Sequence, residues 1–301
     1  MDPIRIALTG VLAPGAVALL VVVVLALVAK KPAATWRELE APKWAGLALA
    51  VGFGLGFAFT LGWPALPPVD VTQVAPWVAL FAAPLGFVAG VPRAVATAGL
   101  GVGLGLFLAA PLYDGAELVA HAALIGATVV ALERGLALLV PDHNARGGAL
   151  ATLVFVSGAA AIILMSDTAS LAITTGALAA GLGALVTASF VVPGLAKLER
   201  AAPVVAVVLA THLHASALYA GGRYDVLGLV AVTPLLLALA LGLVARKERS
   251  TWLAVALPAA LILVPLGAAS ALAATRYFAE PAASSVEPDA TTPADDSDYG
   301  Y

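Results

Sequence analysis

The chain has 301 residues, 62% of them hydrophobic and 11% charged, with a mean hydropathy of +1.02 and a formal net charge of −3. A soluble domain carries about a quarter of its residues as charges, so the solvent for most of this chain is lipid. There is no basic block with interleaved aromatics to bind nucleic acid, and the absence of cysteine excludes disulfides, thiolate metal sites and thiol nucleophiles.

A bilayer core about 30 Å thick takes roughly 20 apolar helical residues, and ten such runs follow in order. The first, 6–29, is too long for a signal-peptide core, and its positive charge follows it. It is expected to be an uncleaved anchor that sends its N-terminus outward. Runs 44–63 and 74–91 are separated by "PALPPVD". Run 94–113 contains "GLGVGLG", which lacks the following lysine of a phosphate loop. Run 116–140 is the weakest, because Glu133 and Arg134 interrupt it; the two are expected near the interface, paired with each other and snorkelling. Runs 147–165 and 171–192 flank "SDTAS", and 202–220 ends in "THLHASALYAGGRYD". Runs 226–245 and 251–274 complete the set. All ten are continuous rather than alternating, which argues against barrel strands. The expected fold is an all-α polytopic membrane bundle over 1–278. Beyond it lies a tail, 279–301, with six carboxylates and no basic residue. It has too little to bury and is expected to stay disordered.

Charge sets the expected orientation. Lys30, Lys31, Arg37, Lys43, Arg93, Arg134, Arg146, Lys197, Arg200, Arg246, Lys247 and Arg249 belong to odd-numbered loops or the helix ends beside them. Only Arg5, Arg223 and Arg276 fall on the other side. That positive-inside bias places the odd loops in the cytoplasm and both termini outside, in a plasma or inner membrane. Trp44 and Trp252 fall at cytoplasmic starts of runs, whereas Trp63, Trp77, Tyr113, Tyr219 and Tyr224 fall at outer ends as an interfacial belt.

Glycines recur at small-residue spacing (Gly52 with Gly56, Gly101 with Gly105, Gly176 near Gly181 and Gly183), which suits close helix packing in lipid. Pro14, Pro84, Pro234, Pro258 and Pro265 sit inside runs and are expected to kink them. Ten spans divide into five and five, as in many inverted-repeat carriers. The one internal echo, "VAKKPAATW" against "VARKERSTW", is offset by eight spans and does not support such a repeat.

Embedded ionisable groups are costly and therefore mark functional candidates. Asp114 and Glu117 lie at the outer mouth of the fifth run, with His121 one turn deeper than Glu117 and on its face. His214, on the eighth run, falls at matching depth. His212 lies about 200° around the helix from His214 and so faces elsewhere. The candidate binding residues are therefore His121, Glu117, His214, Asp114 and His212, and the expected site opens outward between spans five and eight. Each has a plain structural alternative: the carboxylates as helix-terminal groups, the histidines as neutral core residues. Two histidines and a carboxylate suit zinc, but no metal-ligand spacing is present. No cofactor motif and no "HExxH" or other catalytic signature occurs, so the protein is not expected to be an enzyme. The leading expectation is a small permease for a proton, metal or small solute. The alternative is a non-catalytic scaffold subunit of a larger membrane complex, and beyond the lipid bilayer the possible partners are other membrane proteins or further copies of the chain.

Overall fold

The computed structural model describes residues 12–28, 41–88, 90–139, 145–165, 169–190, 192–244 and 251–277. Among these residues there is no strand, and each of the ten apolar runs carries one helix. We number them α1 (Ala13–Val28), α2 (Ala41–Leu61), α3 (Val71–Phe87), α4 (Gly90–Ala109), α5 (Gly115–Leu139), α6 (Ala145–Leu164), α7 (Ala169–Ala188), α8 (Ala202–Tyr219), α9 (Tyr224–Val244) and α10 (Thr251–Tyr277). Six of them (α2, α4, α5, α6, α7 and α8) are long and apolar enough to cross a membrane; α1, α3, α9 and α10 contribute shorter apolar stretches. Helices are the form these runs must take in lipid, because a helix satisfies its own backbone donors and acceptors. The acidic tail lies outside the described residues.

One expected boundary is displaced. The sequence predicts the third run over 74–91 and the fourth over 94–113, but α3 ends at Phe87 and α4 begins at Gly90. Val88 is extended (φ −93°, ψ 147°), and Gly90 adopts φ +69°, which glycine reaches without a steric penalty. Pro92 is tolerated in the first turn of α4, where its missing N–H would have had no helical partner. The shift draws Arg93 out of the expected loop and into the first turn of α4, where it is buried.

Glycines set the closest helix crossings. A Cβ on Gly105 would lie 2.6 Å from the Ala122 backbone of α5, and one on Gly101 would lie 3.0 Å from Gly126. Gly52 and Gly56 of α2 fit against Pro14 and Ala18 of α1 in the same way. Gly176 meets nothing within 4 Å, so the spacing that proposed it as a packing residue does not describe its surroundings.

Helix α8 occupies the centre: every residue from Ala202 to Ser216 is buried. The chain reaches α8 through two short 3-10 turns, Pro193–Ala196 and Leu198–Arg200. The Arg200 carbonyl seats against Gly46 of α2 and Gly86 of α3, where added Cβ atoms would stand 2.7 Å and 2.5 Å away. Arg200 Nη1 also donates to the Gly86 carbonyl at 2.9 Å. The central helix is thus fixed at the end where it begins.

Candidate functional site

Two of the sequence-selected histidines meet in one place. His121 of α5 and His214 of α8 each lie with ring centroids 6.2 Å from Tyr224, the first residue of α9. Tyr113 closes the other side: its ring stacks on His121 at 4.1 Å with an interplanar angle of 22°. The chain enters α5 through Gly115 at φ +49°, and Tyr113, in the connection just before it, faces back onto that helix.

The hydrogen bonds assign the ring protons. Thr128 Oγ1, two turns below His121 on α5, donates to the Leu124 carbonyl at 2.9 Å. Its single proton is committed there, so it receives from His214 Nε2, 3.0 Å away. A neutral His214 therefore carries its proton on Nε2 and presents Nδ1 as a bare acceptor. That Nδ1 is buried without a hydrogen-bond partner among the described residues, as are His121 Nδ1 and Ser216 Oγ. Buried polar atoms left unpaired in protein are those that water, a proton or a solute can satisfy. Chemically, the cluster offers two imidazole nitrogens and two aromatic faces in an apolar surround, a setting suited to a proton or a small cationic or hydrogen-bonding solute.

His212 is built differently. It is fully buried, with Nδ1 2.7 Å from Thr175 Oγ1 and Nε2 3.3 Å from Thr174 Oγ1, both on α7, and its ring lies 6.1 Å from Phe53 of α2. Thr175 already donates to the Leu171 carbonyl at 2.7 Å and so accepts from Nδ1–H. The longer, forked contacts of Thr174 (3.1 Å to Ser170 and 3.0 Å to Leu171) leave it as the hydroxyl that turns toward Nε2. Both nitrogens are thereby satisfied, and the ring pins α8 to α7 away from the Tyr224 cluster.

Asp114 and Glu117 are exposed at the start of α5, and among the described residues no hydrogen bond or ion pair links Glu117 to His121. Glu117 stands in the first helical turn, where a carboxylate complements the helix dipole. Above the cluster, Arg223 and Asp225 form an exposed two-point pair at 3.0 Å and 2.7 Å. The Asp225 hydrogen bond holds the Arg223 guanidinium more firmly charged than usual.

A second polar group lies toward the basic end of the bundle. Glu133 is 1% exposed, and its Oε1 stands 2.5 Å from Arg93 Nη2 of α4. Arg134 is more remote, its Nε 3.5 Å from Oε2. The neighbouring pair expected at the interface is thus chiefly a buried bridge between two helices. Glu133 does not snorkel, because the displaced start of α4 places Arg93 beside it. Arg93 also donates to the Glu199 carbonyl at 2.9 Å, tying in the turn that leads to α8. Among the described residues, no group of three histidine or carboxylate side chains is placed to hold a metal ion.

No protein-family model matches the chain, and no curated protein resembles it in sequence. The residues themselves therefore carry the functional reading.

The sequence does not mark Tyr113, Tyr224 or Thr128 as site residues. The tyrosines read as interfacial aromatics and the threonine as one hydroxyl in an apolar run. The available signal was proximity in sequence: Tyr224 begins the helix that directly follows the one carrying His214.

Proposed function

We propose that the protein is a ten-span membrane protein of the cell membrane with both termini outside, and that it moves a proton or small solute through the His121–Tyr224–His214 cluster. The observation that carries this reading is the convergence of two histidines from α5 and α8 on one tyrosine of α9, with ring nitrogens left unpaired in an apolar bundle. Ionisable groups at membrane depth are retained at a cost, and pathways are where they recur. Buried Glu133, further along α5, adds a second charged group on the same helix. The role is binding and passage rather than catalysis.

Flux into proteoliposomes, driven by a pH gradient and read with an internal pH dye, tests this. Wild type should acidify or alkalinise the lumen faster than empty vesicles. His214→Ala and His121→Ala should each reduce the rate by about a hundredfold, the lower end of the range for removing a proton-handling side chain. Equal rates for wild type and both variants would end the proton reading.

A scaffold subunit of a larger complex is the second reading. It is favoured by α8 below the cluster, where Ala202–Ala210 are buried and none carries a polar side chain, so no polar path leads inward along that helix. Absence of flux, together with stoichiometric companions on purification from native membranes, would establish the scaffold role instead.

A further inference from the structure

One face of α5 is left uncovered between two neighbours. Ala123, Gly126, Ala127, Val130, Ala131 and Arg134 recur at helical spacing along it and form the floor of a trench. Val102 of α4 and Leu235 of α9 rise as its walls, and the open trench has a volume of about 540 Å³. The trench is concave because four of its floor residues, Ala123, Gly126, Ala127 and Ala131, are alanine or glycine while Val102 and Leu235 on the walls are branched. Close crossings hold both walls: Gly101 against Gly126 on one side, and Gly135 against Pro234 and Leu235 on the other.

Its length and ending are specific. From Ala123 to Arg134 is eleven residues, about 17 Å of helix, and one leaflet of a bilayer core is about 15 Å. The trench is apolar until it reaches Arg134, about 8 Å from the end of α5, within reach of the headgroup level for a long cationic side chain. Arg134 is half-exposed. Its one carboxylate neighbour among the described residues, Glu133, is held more closely by Arg93, at 2.5 Å against 3.5 Å. Two guanidinium groups thus share one carboxylate, leaving a positive charge at the mouth of an acyl-sized trench.

We propose that this trench is a binding site for one anionic phospholipid of the leaflet on the basic side, with an acyl chain over Gly126, Ala127 and Ala131 and the phosphate at Arg134. The site is separate from the histidine cluster and does not depend on any transport role.

The test uses the full-length protein, purified and equilibrated with an equimolar mixture of phosphatidylglycerol and phosphatidylcholine, with retained lipids counted by native mass spectrometry. Wild type should keep one lipid, enriched about fivefold in phosphatidylglycerol, the preference expected of one basic side chain at an anionic surface. Arg134→Gln should erase the enrichment while leaving occupancy, whereas Arg223→Gln, at the other end of the bundle, should change neither. Ala127→Leu with Ala131→Leu should fill the floor and lose the retained lipid of either kind. Equal retention of the two lipids by wild type overturns the proposal, as does enrichment that survives Arg134→Gln. A wild-type dimer that the leucine variant dissociates would also overturn it, because the trench would then belong to a second copy.

Discussion

His214 Nε2 lies 3.0 Å from Thr128 Oγ1, so the eighth helix shows the histidine nearer its Tyr219 end to the fifth helix and not to the seventh. His212, two residues earlier, turns the other way and meets Thr175 at 2.7 Å.

The chain lacks native cysteine, which makes this orientation directly testable. Thr128→Cys with His214→Cys should join under mild oxidation or a short bismaleimide, and Thr175→Cys with His212→Cys should do the same. Thr128→Cys with His212→Cys should not, because the two side chains leave α8 on opposite faces. Crosslinking of that mixed pair alone would mean that α8 is rotated by half a turn.

His212→Ala should lower stability by about 2–4 kcal/mol, the range for emptying a large buried position. Thr175→Val should cost about 1–3 kcal/mol by leaving a buried N–H without its acceptor. Thermal unfolding in detergent, followed by size-exclusion fluorescence, reads both. Combining the two changes should give less than their sum, since the interaction lost is the same one. Full additivity would show that the ring and the hydroxyl do not interact.

Glu133→Leu should sharply reduce folded yield, because Arg93 would remain buried without its counter-charge; such single removals cost about 3–5 kcal/mol. Arg93→Leu together with Glu133→Leu should recover much of the loss. If the double variant is as poorly folded as the single one, the contribution of the pair lies in something other than mutual neutralisation.

Gly135→Ala should destabilise by about 1–3 kcal/mol through overpacking, since its new Cβ would lie 2.6 Å from the Leu235 amide nitrogen. Gly103→Ala, with nothing within 4 Å, is the matched control and should be neutral or slightly stabilising. Equal effects at the two sites would remove the α5–α9 crossing from the list of close contacts.

Cysteines introduced at Ala33, Asn144 and Ser250 should be shielded from an impermeant thiol reagent in intact cells, whereas Thr72 and Ser284 should label. The expectation follows from the bias of basic residues to the odd loops. Labelling at Ala33 with shielding at Ser284 would invert the topology.

Much of the helix plan was legible because apolar runs of membrane length admit little but helices. The separate facings of His212 and His214 followed from 100° per residue alone. Arg93 was not legible as a partner of Glu133, because a four-residue shift of the helix start, from 94 to Gly90, decides whether it lies in a loop or a helix. Tyr113 was not legible either: it stacks on His121 from the connection just before Gly115, outside the helix. Glycine spacing identified the crossings at Gly52, Gly56, Gly101 and Gly105 but misjudged Gly176. Spacing states which residues share a face, and only the neighbours state what that face meets.

The burial of α8 from Ala202 to Ser216 bears on how the protein is made. Apart from its last turn the helix turns no side to lipid in the finished bundle, and Thr211, His212 and His214 would be costly to leave exposed to lipid. The hydrogen-bond partners of both histidines, Thr128, Thr174 and Thr175, are all synthesised before α8 leaves the ribosome. Only Tyr224 comes afterwards. The central helix therefore emerges toward a cradle already laid down by α2 to α7, and its polar groups can pass from the insertion machinery into that cradle without first being dissolved in lipid.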